Sequence, residues 1–335
     1  MRFFVFKIYL VTVFIFTMSS CEETVDVVVE GPRDLDSLII QFPDSVELLI
    51  ERGNKLLDSY EYDIAMNDAA KAFRIDSNNI NSRLLYAEVL NNREARSVED
   101  VAIAQSNYKK VVKAQPKNLR ALVGLAATFN YQQDFEKTFQ YINEALRIDP
   151  KYRNAYVLKG TTYRQIGNME LAKSSYQTAI QQDPEFFEAY FFLGQMYQAE
   201  NDPLCVEYFT TALELKPNIQ EIRYQLAFAK QSHGQIEEAV NLYREMASDT
   251  SDFYVNRGLF HQGYIKQFEL EDIDSAIYYY KSALKTEPRH VESWHNLGLC
   301  YKDQNMKTQA LQSFAKALQY NPDFELSRKE AESMR

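Results

Sequence analysis

Four histidines and three cysteines are the residues on which metal, redox or nucleophilic chemistry would have to rest in this 335-residue chain. The histidines stand at 233, 261, 290 and 295. No two are four residues apart with a glutamate between them, the spacing that lets two imidazoles on one helical face hold zinc beside a carboxylate base. His290 and His295 flank Glu292, and a metal held by these three is the alternative to plain packing of the two rings. Cys205 and Cys300 sit among apolar residues. A disulfide needs alpha carbons within about 7 Å, so packing is the expectation for both thiols. A glycine-rich phosphate loop, a nucleophile elbow and paired-cysteine zinc spacing are all missing from the sequence. The expectation is a non-catalytic chain with no cofactor and no bound metal. A net charge of −10 without a basic patch opposes nucleic-acid binding and flat adsorption on anionic lipid.

What remains is a frame of small and apolar residues that recurs along the chain. In 291–324, Trp294, Leu297, Gly298 and Tyr301 are followed by Ala310, Phe314, Ala317 and Pro322. Steps of three and four put each set on one stripe of a helix. In 153–186 the same places hold Tyr156, Lys159, Gly160 and Tyr163, then Ala172, Tyr176 and Ala179. Gly167-Asn168 ends the first helix and Asp183-Pro184 closes the unit, because proline cannot continue a helix. Gly160, like Gly194 and Gly298, is small where the second helix must come close. The frame divides the chain into 46–79, 80–118, 119–152, 153–186, 187–219, 220–256, 257–290 and 291–324. The second unit is lengthened around Asn92–Glu99, and Ser251 stands where the sixth would close with proline. A polar segment, 325–335, is expected to cap the open end.

These spacings resemble the tetratricopeptide repeat, a helix–turn–helix unit of about 34 residues. The resemblance implies an all-α, right-handed superhelical solenoid of about eight units, each burying its apolar face against its neighbours. In that family the second, fifth, ninth and twelfth positions of each first helix face a concave groove. Carried onto this chain, they give Phe191, Gln195 and Gln198, then Tyr224, Phe228 and Gln231, with Phe260 and Tyr264 from the seventh unit. Arg120, Asn130, Asn154, Thr161 and Arg164 precede them, and His295 and Lys302 follow. The implied partner is a protein or peptide with apolar or aromatic side chains, held by an aromatic and amide-rich wall. The opposing reading of the same rings is packing between units.

At the front, Arg2 and Lys7 precede the apolar run Ile8 to Met18. It is shorter than the roughly 20 residues a membrane-spanning helix needs, so a signal segment is expected. Met18-Ser19-Ser20 before Cys21 resembles the lipobox of bacterial lipoproteins, with methionine where leucine is usual. The resemblance implies cleavage after residue 20 and palmitate-type acylation of Cys21. It also implies an acidic tether, 21–45, and attachment to the bacterial cell envelope, the outer membrane favoured. Two or more acyl chains anchor stably where one does not. The leading function is an envelope interaction scaffold. The alternative is a glycan-binding lipoprotein of a nutrient-uptake system, although the one tryptophan, Trp294, lies in the repeat frame rather than in a loop.

Overall fold

The structure, a computed structural model, describes residues 34–93, 95–248 and 251–334. The leader and Cys21 lie outside the described residues. Among the described residues there are 18 α-helices and no strand. Eight helical pairs follow one another: α2 (Val46–Asp58) with α3 (Tyr62–Ile75), α4 (Ile80–Asn92) with α5 (Val98–Ala114), and α6 (Leu119–Tyr131) with α7 (Phe135–Ile148). Next come α8 (Arg153–Gln165) with α9 (Met169–Gln182), α10 (Phe187–Ala199) with α11 (Leu204–Leu215), and α12 (Gln220–Ser232) with α13 (Ile236–Met246). The last two are α14 (Asp252–Tyr264) with α15 (Ile273–Thr286) and α16 (Val291–Asp303) with α17 (Lys307–Tyr320). Helices α1 (Leu35–Gln41) and α18 (Glu325–Ser333) flank the stack. Each helix packs on its sequence neighbours, and the first helices of the early pairs also touch one another, which puts them on the inner face. The result is a helical solenoid.

Local chemistry sets the helix limits. Asn79, Asn118, Asp134, Asn168 and Asp272 cap helix starts through side-chain oxygens, and Ser97 with Asp100 forms a reciprocal capping box on α5. The turn inside most pairs needs one left-handed residue. Gly167 and Gly234 take it at φ +82° and +76°, while Gln133, Asn201, Asn305 and Tyr60 take it with a side chain present. The frame glycines have a different task. A β-carbon on Gly160, Gly194 or Gly298 would lie 2.7, 2.7 or 2.5 Å from the ring of Tyr176, Phe209 or Phe314. The small residue therefore seats an aromatic ring from the second helix, rather than admitting its backbone.

One regularity is invisible in any single unit. The fourth residue of a first helix repeatedly donates to the carbonyl of the preceding closing turn. Tyr156 O–H reaches the Pro150 carbonyl at 2.9 Å, Arg223 reaches Pro217 at 2.7 Å, and Trp294 Nε1–H reaches Pro288 at 2.9 Å. Arg83 does the same to Ser77, and Arg328 of α18 to Pro322. The terminal helix thus continues the frame as half of a further unit. It also covers His295, whose Nδ1 lies 3.0 Å from Ser327 Oγ, while Lys302 pairs with Glu330 at 2.6 Å. Both expected groove residues of the last unit are consequently engaged by the cap.

Two expected boundaries shift. The tether read as 21–45 contains α1, whose Leu35 and Ile39 are buried, the latter with Leu49 and Ala72. Amphipathic burial therefore begins before residue 46. The seventh unit does not start at 257: α14 begins at Asp252 and runs into a π-helical turn, Ile265–Glu269. Without a closing proline the helix starts about a turn early. The π-helical turn absorbs the extra residue, so Gly263 still meets Tyr280.

Candidate functional site

The expected aromatic wall divides into packed and presented rings. Phe191 is half-buried between units, 5.8 Å from the Phe209 ring, and belongs to the core there. Tyr224 is also half-buried, with the Arg257 guanidinium 4.5 Å from its ring centroid. Phe260 packs on Tyr280 and on His290, at 5.9 and 5.0 Å. Phe228 and Tyr264, by contrast, are 40% and 37% exposed. They line a cavity of about 600 Å³ together with Gln231, Phe260 and His261. The amides are partly committed: Gln195 accepts from Arg164 at 3.2 Å, and Gln231 accepts from the Tyr243 hydroxyl at 3.1 Å.

His261 is the residue of this wall that sequence reasoning missed. Its ring stacks on Tyr243 at 4.7 Å with an interplanar angle of 6°, and its Nε2 lies 3.3 Å from the Tyr224 hydroxyl. Burial first, then the nearby Arg257 and His290, pushes the imidazole down to about 4. The fold therefore holds the neutral ring. As the pH falls from about 6.5 towards 4, the unfolded chain gains a proton that the folded chain refuses. Stability around α12–α15 is expected to fall by about 1.4 kcal/mol per pH unit across that window. Hydrogen exchange, corrected for intrinsic rates, should show that loss in the wild type and a clearly shallower slope in His261→Phe, where the neighbouring buried His290 still titrates. An equal slope in both would remove His261 as the cause.

The other titratable candidates have packing partners. His290 Nδ1 accepts from the Ser293 amide at 3.2 Å as a helix cap, and its Nε2 lies 3.7 Å from Glu292. Cys205 and Cys300 are buried free thiols, and burial pushes Cys300 up to about 12. Among the described residues no three histidine, cysteine or carboxylate side chains converge as a metal site. No helix among them is long and apolar enough to cross a membrane.

A second, larger cavity of about 810 Å³ lies between the first five units. The turn joining α2 to α3 reaches across to α10, 128 residues away in sequence. There the Tyr60 ring meets Phe187 edge-on at 5.2 Å, and its hydroxyl donates to Glu188. The Lys216 ammonium lies 5.7 Å from the Tyr60 ring centroid. On the wall, Arg120 binds Glu88 and also donates to Asn54 at 2.9 Å, while Arg153 pairs with Asp183 at 2.9 Å. Arg120, expected as a groove-facing residue, is therefore neutralised by Glu88. The one available sequence signal was Tyr60 itself, an aromatic residue where other units place glycine, asparagine, glutamine or glutamate.

Three stretches of the chain, 93–153, 154–186 and 291–324, match family models of the tetratricopeptide repeat. The chain thus carries tetratricopeptide repeats within a helical solenoid. It is 22% identical over 225 residues to human Protein O-mannosyl-transferase TMTC3, covering 66% of this chain and 22% of that protein. It is 24% identical over 201 residues to human Tetratricopeptide repeat protein 6, covering 57% of this chain and 37% of the relative. The chain therefore spans well under half the length of either. Among solved structures, a chain of the APC/C hetero-tetramer Cut9–Hcn1 superposes with a TM-score of 0.59 at 15% identity, covering 89% of this chain and 57% of that one. The human IFIT1 dimer with m7Gppp-AAAA gives 0.58 at 19%, covering 86% and 77%. At such identities the likeness is one of fold.

Proposed function

We propose that this chain is a non-catalytic interaction scaffold, held at a bacterial cell envelope by lipid on Cys21, that grips a peptide or protein partner on its inner face. The observation that carries the binding reading is the pair of presented rings, Phe228 and Tyr264, flanking a cavity of about 600 Å³ on adjacent first helices. Aromatic side chains offer large apolar area with little rotamer entropy to lose. The free amide N–H groups of Gln231 lie beside them, suited to the backbone carbonyls of an extended partner. The anchoring reading is supported by the apolar leader and the residues before Cys21.

One in-cell cross-linking experiment with mass spectrometry tests both halves. Phe228→Ala with Tyr264→Ala is expected to lose the partner that the wild type captures while staying in the membrane fraction. Cys21→Ala is expected to move to the soluble fraction with its folded array intact. Undiminished capture by the double variant removes the groove, and a membrane-bound Cys21→Ala variant removes the anchor.

A further inference from the structure

We propose that the chamber between the first and fifth units is a second binding site, and that it takes a cationic peptide segment with a lysine or arginine side chain against Glu188. This goes beyond the scaffold reading and uses none of the residues on which that reading rests. The first argument is charge. Arg120 and Arg153 are already neutralised by Glu88 and Asp183. Among the remaining lining residues, Asp58, Glu185 and Glu188 face the single ammonium of Lys216. The wall therefore carries an excess of negative charge, which repels an anionic ligand and attracts a cation.

The second argument is an unfilled hydrogen bond. Glu188 Oε1 accepts from Tyr60, but Oε2 is shielded from solvent and has no donor. A buried polar atom left in this state is costly unless something supplies a donor. An ammonium or guanidinium that displaces the Tyr60 hydroxyl from the carboxylate would supply a donor and add to the opposite charge of Arg153 and Lys216. Tyr62 and Tyr152 line the same wall, and aromatic rings suit a cation further.

The third argument is the clasp. Tyr60 holds φ at +64°, where a bulky side chain is strained by about 1 kcal/mol. That conformation is the one most pairs use at this turn, and here the side chain it projects is fixed by Phe187 and Glu188 across the chamber. Tyr60 thereby bridges the first and fifth units across the chamber. The chamber's size, about 810 Å³, exceeds what a single side chain fills. Asn91 and Asn154 on its wall offer amides to a peptide backbone. For these reasons the occupant is a peptide rather than a small amine.

Calorimetry on the full-length protein separates the possibilities with three probes: a capped Ala-Lys-Ala-Lys-Ala peptide, its glutamate counterpart, and spermidine. The wild type is expected to bind the lysine peptide, more tightly than spermidine, and to ignore the glutamate peptide. Glu188→Gln, nearly isosteric, is expected to weaken lysine-peptide binding about tenfold through loss of one charge-assisted hydrogen bond. Should Glu188→Gln open the clasp, seen as lost amide protection at Tyr60, Asp58→Asn reads the same charge from the other side. The Phe228/Tyr264 double variant is expected to bind the lysine peptide normally. Equal affinity for both peptides, or no change in either charge variant, overturns the site. Spermidine binding as tightly as the lysine peptide overturns the assignment to a peptide. Loss of binding in the Phe228/Tyr264 variant would place the ligand on the other wall instead.

Discussion

A single methyl group added at Gly298 is expected to destabilise the last repeat by about 2 kcal/mol, and Phe314→Ile in the same chain is expected to recover most of that loss. The new β-carbon would lie 2.5 Å from Phe314 Cε1, and Phe314 is fully buried. A close-packed core has no room into which the ring can withdraw. The third unit shows the compatible pairing: Ala126 stands in the glycine's place, and Ile142 replaces the aromatic ring in the same core cluster. Gly298→Ala with Phe314→Ile transplants that pairing into the eighth unit. Trp294, the one tryptophan, lies in the same unit. Its fluorescence in a urea titration therefore reports the transition directly. Simple addition of two losses in the double variant, rather than recovery, would mean that glycine and ring are not a matched pair.

The repeat frame was legible because most pairs carry several of their own limits: a cap, a left-handed turn residue, a closing proline or a small residue under a ring. Where one signal was missing the reading slipped. Ser251 in place of proline let α14 begin early, and no local pattern announces the π-helical turn at Ile265. The binding surfaces were only half legible, for a different reason. A position in a frame tells which way a side chain points, but not what crosses the groove to meet it. Phe191 faces inward by its position and is claimed by Phe209. Arg120 faces inward and is claimed by Glu88. Tyr60 meets Glu188 because the array curves back on itself, and that curvature accumulates from small rotations that no single unit specifies.

The wall that this curvature creates supplies the other large expected effect. Arg120→Met is expected to cost the amino-terminal repeats about 3 kcal/mol at neutral pH, while Arg120→Met with Glu88→Met returns to within about 1 kcal/mol of the wild type. Glu88 is buried, and Arg120 satisfies both of its carboxylate oxygens. Burial already holds Glu88 above its ordinary 4.5, with the Arg120 charge opposing the rise. Removing the guanidinium leaves the rise unopposed, so the folded variant holds a proton that the unfolded chain has released. Its stability is then lost as pH rises from about 4.5 through the elevated folded value. Acid should therefore narrow the deficit in α4–α6, in the same chain where acid weakens α12–α15 through His261. Residue-level hydrogen exchange at neutral and mildly acidic pH distinguishes the two ends. A deficit in α4–α6 that stays constant with pH would show that Arg120 contributes packing alone. A double variant no more stable than Arg120→Met would show that the carboxylate was never the source of the cost.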